Sequence, residues 1–326
     1  MVVSPAARAA LRPRVRPHRR APLEDPGGAL VSEKTLTAPS AAVAPAPAAE
    51  SAPPAPGAAR SLSRTAGAAS SRALPIVLAI FGILAIWYAV SYLLLSEDRR
   101  FLLPPPHQVF AETLGNPQII GPMLVALGQT TSVALIGLAL AVVIGMGWAI
   151  LMSQWRIAER VLYPYAVILQ TIPILALTPL IGIWMGYGIP ARIVVCVIIA
   201  VFPMISNTLF GLQSAEASAH DLFTLNKASR WQRLTKLQLP AAIPSIFTGL
   251  RNAAGLAVIG AIVGDFFFQQ GSQGIGGLLR TYTLRLNMES LFLAIIFTAL
   301  FGVIVFSIFA ALDRAVVGRL FGWKGR

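Results

Sequence analysis

The chain contains few residues of the types that perform acid–base, nucleophilic or metal chemistry. It has three histidines, His18, His107 and His220, and a single cysteine, Cys196. No histidine has a second ligand at the spacing of a metal site, so we predict neither a metal ion nor a catalytic group. Cys196 lies within the apolar run IVVCVIIA, which predicts a small buried apolar side chain rather than a reactive thiol.

Nucleotide-binding motifs give no indication of an enzyme either. The sequence has no G-x-x-x-x-G-K-[ST] phosphate loop, so this chain is not expected to hydrolyse ATP. The glycine-rich stretch GIGGLL, which begins at Gly274, follows no predicted strand and therefore does not indicate a dinucleotide site. We predict no cofactor.

A few polar side chains stand inside apolar runs, where they are candidates for contact with a transported solute. They are Gln170, Asn207, Asn252 and Asp265. Charged groups within membrane spans are functional candidates by default. For the amides, an interhelical hydrogen bond is the alternative. For Asp265, and for Arg251 nearer the other end of the same run, the simpler alternative is snorkelling to the membrane surface.

The elements that must hold these residues are apolar segments long enough to cross a membrane. The chain has 326 residues, of which 56% are hydrophobic and only 12% charged, whereas soluble domains have about a quarter charged residues. Each apolar segment supplies the roughly 20 residues that a membrane-spanning helix needs. We therefore predict an all-α membrane protein with six transmembrane helices. The segments are 74–95, 123–152, 161–185, 191–213, 242–267 and 291–313.

The N-terminal region, residues 1–73, differs from the rest of the chain. It is rich in Ala and Pro, contains scattered Arg and has no aromatic residue, so we expect a disordered tail. Such a tail either binds anionic lipid or holds the N-terminus inside, or it is a structureless extension. The net charge of +13 would suggest nucleic acid in a soluble protein, but here the basic residues lie in the tail and beside apolar runs. We predict no nucleic-acid partner.

Lysine and arginine beside the apolar runs predict the orientation of the chain. With six spans, one side holds Arg60, Arg64, Arg72, Arg156, Arg160, Lys227, Arg230, Arg233, Lys236, Arg314, Arg319, Lys324 and Arg326. The opposite side holds Arg99, Arg100, Arg192, Arg280 and Arg285, with four acidic residues among them. The positive-inside rule then places both termini and residues 214–240 in the cytoplasm.

The 214–240 segment is polar and helical in pattern. Apolar side chains recur every third residue at Leu222, Leu225, Ala228, Trp231 and Leu234, which indicates one stripe on a helix. A serine just before the second half, Ser229, is expected to cap a second short helix. From periodicity alone, a helix that lies on lipid headgroups and a helix that docks a protein remain equal alternatives.

Residues from about 100 to 320 resemble the permease subunits of bacterial ABC importers. The nearest branch is the nitrate, sulfonate, taurine, riboflavin and thiamine-precursor group. The resemblance rests on FLLPPPHQVF from Phe101, LQTIPILALTPLIGIWMGYGIPARI from Leu169, FPMISNTLFGL from Phe202 and LPAAIPSIFTGLRNAAGLAVIGAIVGDF from Leu239. It implies a type I importer permease fold over residues 101–320, after a first helix and outer loop at 74–100 and before a cytoplasmic C-terminus at 321–326.

The signature of this family lies in the 214–240 segment, and the present chain departs from it. The end of the signature, I-x-L-P, is matched by Leu237-Gln238-Leu239-Pro240. At the family's spacing, Lys227 stands where the signature has Gly, and Asp221 stands at the start of its E-A-A triplet. A left-handed lysine costs about 1 kcal/mol, so we expect the turn to shift to Asn226.

The resemblance implies a set of partners and sites. The 214–240 segment would dock in a cleft of a separate ATPase subunit, which hydrolyses the ATP. A solute-binding protein outside the cytoplasm, a second copy of the permease and membrane lipid would be the other partners in a bacterial plasma membrane. The residues expected to couple to the ATPase are Asp221, Leu222, Leu225, Lys227, Trp231, Arg233, Leu234, Leu239 and Pro240.

The solute stays open among those of the branch, since a separate binding protein does most of the selecting. An ion-driven secondary transporter is the main rival, although the sequence has no evident inverted repeat and no carboxylate in the middle of a span. A membrane enzyme or assembly factor is the second rival, and it would require a cluster of titratable residues that the spans do not offer.

Overall fold

The computed structural model describes residues 64–322, and over this range the chain forms α-helices and no β-strand. Residues 1–63 and 323–326, which contain most of the expected tail and the end of the C-terminus, lie outside the described residues. The first helix begins at Arg64, ten residues before the predicted start of the first span at residue 74.

The helices follow one another with short connections. A π-helical turn, Val90–Leu94, prolongs the first of them, and a second one, Leu234–Gln238, precedes the ninth. In chain order they are α1 (Arg64–Ala89), α2 (Pro106–Thr113), α3 (Pro117–Gln154), α4 (Arg156–Thr171), α5 (Ile174–Met185), α6 (Ile189–Gln213), α7 (Ala217–Leu225), α8 (Arg230–Arg233), α9 (Leu239–Phe267), α10 (Ile275–Leu284) and α11 (Met288–Phe321).

Five predicted spans correspond to continuous helical stretches that are long and apolar enough to cross a membrane, but the third does not. Segment 161–185 consists of α4 and α5, whose axes differ by 97°. The break falls at Ile172-Pro173. Pro173 has no backbone N–H and disfavours a helical conformation at the residue before it, and Ile172 accordingly has φ −64° and ψ 125°. The expectation of one continuous helix here was wrong.

The bent pair α4–α5 nevertheless passes from one end of the helix bundle to the other. At one end, Gln213 at the end of α6 donates a hydrogen bond of 3.0 Å to Glu159 in the first turn of α4. At the other end, the backbone N–H of Gln270, beyond α9, donates to the carbonyl of Tyr187, just after α5, at 2.8 Å. Because the pair connects opposite ends, the described chain crosses the bundle six times. We call these ends the segment end, which holds 214–240, and the loop end, which holds 268–274.

The centre of the bundle is α6, which packs against α9 and α3 along its length. The backbones of α6 and α9 approach closely where Gly260 faces Cys196: a Cβ at Gly260 would lie only 2.8 Å from the Cα of Cys196. Glycine at this position therefore permits the approach. Cys196 is fully buried between the helices, which confirms its prediction as a small buried apolar residue.

The first helix lies at the periphery and is held at its loop end. Trp87 donates from its indole nitrogen to the carbonyl of Pro104 at 3.1 Å, and Ser91 donates to that of Leu103 at 2.8 Å. From Val77 onward, most of the apolar side chains of α1 are exposed, as are many of α11. In a bilayer such surfaces face the acyl chains, where apolar exposure carries no penalty.

Candidate docking and pathway sites

The 214–240 segment folds as two short helices joined by a tight turn. The N-cap of α8 is Ser229, whose hydroxyl accepts from the backbone N–H of Gln232 at 3.2 Å. The Gln232 side chain in turn accepts from the N–H of Ser229 at 2.9 Å. This reciprocal pair is a capping box, and it confirms the expected cap. The segment is thus a folded unit rather than a loose connection.

The turn between α7 and α8 does not shift to Asn226 as expected. Lys227 has a left-handed backbone with φ 50°, whereas Asn226 has φ −78°. The reason lies in the hydrogen bonds that end α7. The N–H of Ala228 donates to the carbonyl of Phe223 at 2.9 Å, and that of Lys227 donates to Thr224 at 3.0 Å. This Schellman arrangement requires its left-handed residue at the position after the C-cap, which is Lys227.

The predicted apolar stripe divides into an exposed part and a buried part. Leu222, Leu225 and Trp231 are 57%, 82% and 70% exposed, which is high for large apolar side chains. Leu234, by contrast, is only 2% exposed, so its prediction as part of the same outward stripe was wrong. Only four residues of α8 precede the π-helical turn that begins at Leu234, and this wider turn changes the direction of the following side chains.

The buried part anchors the segment to the bundle. Leu234 packs with Leu212 at the end of α6 and Ala242 in the first turn of α9. Leu239 is half-buried against the same cluster, and Pro240 beside it is exposed at the start of α9. The candidate coupling residues therefore have two different environments, outward-facing and inward-facing.

An open groove of about 320 Å³ lies in the segment, and its lining is half apolar and half polar. Its lining consists of Leu222, Phe223, Asn226, Ala228, Gln232 and Lys236. Arg233 already donates a hydrogen bond of 3.0 Å to the hydroxyl of Thr224, while Asp221 is exposed on α7. Arg230 donates to the carbonyl of Gln154 at 3.4 Å, which links α8 to the end of α3.

The four candidate pathway residues do not form one site. Gln170 lines a cavity of about 310 Å³ beside the break between α4 and α5, whose other lining residues are Leu169, Ile172, Ile174, Ile198, Ile199, Phe202, Pro203 and Leu256. Asn207 is half-buried and donates to the carbonyl of Pro203 at 2.8 Å. Asn252 is exposed on α9, and Asp265 lies at the loop end.

The charged residues of the fifth span form ion pairs instead of standing alone at the membrane surface. Asp265 is 1% exposed and lies 3.2 Å from the guanidinium of Arg192, which is also 1% exposed. Arg251 lies 3.8 Å from Asp313 of α11. The snorkelling account of Asp265 was therefore wrong. Arg192 itself belongs to the first turn of α6, at the loop end of the bundle.

Sequence reasoning missed Arg192 as a partner of Asp265. The two residues are 73 positions apart, and no local pattern connects them. The available signal was that a carboxylate within an apolar run needs a cationic partner when it is buried. Among the described residues, no group of three or more His, Cys, Asp or Glu side chains comes together that could hold a metal ion.

Six crossings by apolar helices and a folded polar segment at one end define a multi-pass membrane protein. The chain belongs to the family described as binding-protein-dependent transport system inner membrane component, whose model matches residues 141–318. The resemblance to ABC importer permeases is thereby confirmed, and the chain is a transport subunit of that class.

Individual relatives share the permease role and differ in the solute that their names specify. The chain is 32% identical over 248 residues to the formylaminopyrimidine transport permease protein ThiX of Halalkalibacterium halodurans, with 76% of this chain and 96% of that protein covered. It is 27% identical over 245 residues to the putative aliphatic sulfonates transport permease protein SsuC of Bacillus subtilis (74% and 84% covered). It is also 27% identical over 259 residues to the nitrate import permease protein NrtB of Synechocystis (76% and 90% covered).

Proposed function

We propose that this permease couples to a separate ATPase subunit through its 214–240 segment. The observation that carries the proposal is the exposure of Leu222, Leu225 and Trp231 on a segment that is otherwise polar. Contiguous exposed apolar groups with a polar rim are typical of a protein-docking surface. A helix that docks in a partner's groove presents such apolar side chains to it.

The anchoring of the segment supports a mechanical role. Leu234 fills a buried cluster between α6 and α9, and Arg230 bonds to the end of α3. A displacement imposed on the exposed face of α7 and α8 would therefore be transmitted to the three helices at the centre of the bundle. Binding of ATP by the partner would then bias an equilibrium between inward-open and outward-open states.

The proposed orientation has the segment end and both termini in the cytoplasm. The observed crossings support it, because the basic residues of 156–160 and 227–236 fall at one end of the bundle. Cysteines introduced at positions 230 and 272 test this orientation, since the native Cys196 is buried. A membrane-impermeant maleimide applied to intact cells is expected to label position 272 only. Labelling of position 230 from outside would refute the orientation.

The pathway is proposed to form between two copies of the permease, beside the cavity next to the α4–α5 break. That cavity carries the amide of Gln170 and no charged side chain in its lining. An apolar cavity with one amide suits a compact uncharged heterocycle better than an anion, which would need charged or multiple hydrogen-bonding partners. We therefore propose a solute of the kind named for the formylaminopyrimidine relative rather than nitrate or a sulfonate.

The function is tested by purifying the permease from its native membrane and by measuring uptake. The ATPase subunit is expected to co-purify, and vesicles supplied with the solute-binding protein should accumulate formylaminopyrimidine only when ATP is present. Unlabelled nitrate and an aliphatic sulfonate serve as competitors, and neither is expected to reduce the uptake. Recovery of the permease without any ATPase, or uptake driven by an ion gradient without ATP, would refute the proposal.

A further inference from the structure

The loop end of the bundle contains a buried arginine that binds three backbone carbonyls of one loop. The Nε of Arg192 donates to the carbonyl of Phe268 at 2.8 Å. Its two terminal nitrogens donate to the carbonyls of Gln270 at 3.1 Å and Ser272 at 2.7 Å. These carbonyls belong to alternate residues, so loop 268–274 bends around a single guanidinium.

The position of the guanidinium is itself fixed by the helices around it. Asp265 of α9 accepts from Arg192 at 3.2 Å and from the hydroxyl of Thr130 of α3 at 2.5 Å. The Thr130 hydroxyl also accepts from the backbone N–H of Ile275, the first residue of α10, at 2.8 Å. One connected network thus joins α3, α6, α9 and both ends of the loop. The three side chains of the network, those of Arg192, Asp265 and Thr130, are all buried, where a lost bond is costly.

The close approach of the loop to this network depends on Gly274. A Cβ at this position would overlap the carboxylate of Asp265. A side chain at residue 274 would therefore force a shift of the loop or of the Asp265 carboxylate beneath it. Two residues therefore fix the backbone conformation of the loop: Arg192 beneath it and Gly274 at its end.

The outward surface of the same loop is polar and uncharged. Five consecutive residues, Gln269, Gln270, Gly271, Ser272 and Gln273, are exposed. Their composition does not suit contact with acyl chains, and they carry no charge that would favour lipid phosphates. Amide and hydroxyl groups on a backbone of fixed shape suit hydrogen bonding to a protein surface, because a preorganised loop loses little freedom when it binds.

We propose that Arg192 is a positioning residue that holds loop 268–274 in the shape in which it contacts the extracytoplasmic solute-binding protein. The proposal rests on the proposed function, because it requires the loop end to face away from the ATPase. The Arg192 side chain is buried and does not itself contact the partner. It acts through the three carbonyls, and the exposed side chains of the loop make the contact.

The test uses the complete permease–ATPase complex in lipid nanodiscs. The probe is the purified solute-binding protein of the same importer, titrated while ATP hydrolysis is measured. Arg192→Lys keeps the positive charge but cannot reach three carbonyls with one ammonium group. We expect the KM for the binding protein to rise about tenfold, while kcat and basal hydrolysis stay within about twofold of the wild type. Backbone amides of 268–274 should exchange hydrogen about tenfold faster.

Two further variants distinguish an effect on the loop from an effect on the fold of the whole permease. Gly274→Ala places a methyl group against the Asp265 carboxylate and so disturbs the loop and its anchor without changing the Arg192 side chain. It is expected to reproduce both effects. Gln270→Arg alters only an exposed side chain, so it should raise the KM but leave hydrogen exchange unchanged. Arg251→Lys is the matched control, because Arg251 belongs to the ion pair with Asp313 and has no bond to the loop. It should change neither quantity.

The results that would overturn the proposal are distinct from those that would overturn the proposed function. An unchanged KM in both Gly274→Ala and Gln270→Arg would show that the loop does not contact the binding protein. Unchanged hydrogen exchange in Arg192→Lys would show that the arginine does not position the loop. If the Arg192→Lys permease does not assemble with the ATPase, the KM and the hydrogen exchange of Gly274→Ala and Gln270→Arg decide the proposal. A wild-type permease that does not retain the ATPase would instead refute the proposed coupling.

Discussion

The sharpest consequence of the structure concerns two leucines of the 214–240 segment that the helical pattern treats alike. Leu225 is 82% exposed and Leu234 is 2% exposed. If Leu225 enters the ATPase groove, its burial there contributes about 1.5–3 kcal/mol to binding. Leu225→Asp would lose this contribution and would place a charge against an apolar surface. The ATPase is then expected to bind about tenfold to a hundredfold more weakly, since 1.4 kcal/mol corresponds to a factor of ten.

The same reasoning gives the opposite phenotype for the buried leucine. Leu234→Ala would remove side-chain volume from the cluster with Leu212 and Ala242. A cavity of this kind costs about 2–5 kcal/mol of stability, which the permease itself would lose. Leu225→Asp should leave the permease as stable as the wild type, because an aspartate at such an exposed position remains in water.

The assay measures both properties of each variant at matched membrane levels. Retention of the ATPase on immobilised permease reports docking, and thermal unfolding of the permease alone in detergent reports stability. Trp231→Asp, at a second exposed position, should behave as Leu225→Asp does. Full ATPase retention and full solute uptake in both aspartate variants would refute the docking role, and the alternative of a helix resting on lipid would then account for the segment.

Three further predictions follow from backbone geometry. Lys227→Gly should relieve the left-handed lysine and stabilise the turn by up to about 1 kcal/mol, seen as slower hydrogen exchange at 226–229; faster exchange would contradict this. Gly260→Ala should force α9 away from Cys196 and lower the thermal stability of the permease by about 1–3 kcal/mol, and unchanged stability would show that the helices adjust freely. Pro173→Ala should reduce uptake by shifting the α4–α5 break while ATPase retention stays normal; unchanged uptake would show that the break does not depend on proline.

The sequence predicted the spans from length and apolar content, and these properties suffice wherever the helix is continuous. They do not reveal the break in the third span, although Pro173 stands at it. Proline also lies inside α5 at Pro179, inside α6 at Pro203 and inside α9 at Pro244, and none of these helices ends there. Neighbouring helices determine whether a proline bends or breaks a span, and these neighbours are known only from the fold.

The sequence predicted where the docking segment lies, but not which of its side chains face outward or which residue is left-handed. The stripe from Leu222 to Leu234 follows from a three-residue period, which assumes one uninterrupted helix. The chain instead forms two short helices and a π-helical turn, and Leu234 consequently points into the bundle. The position of the left-handed residue was also missed, because the intrinsic preference of asparagine counts for less than the two hydrogen bonds that terminate α7.

The contacts between the central helices indicate which parts of this permease can move relative to one another. At the loop end, α3, α6 and α9 are joined by the network around Arg192 and Asp265. At the segment end, α6 and α9 share the cluster around Leu234, and Ile150 of α3 packs against it. Elements joined at both ends move together, because separating them would expose a buried ion pair or open an apolar cavity. The bent pair α4–α5 lacks such a buried ionic connection and borders the cavity at Gln170. We therefore expect α3, α6 and α9 to turn as one body when the segment is displaced, and the pathway to open along α4–α5.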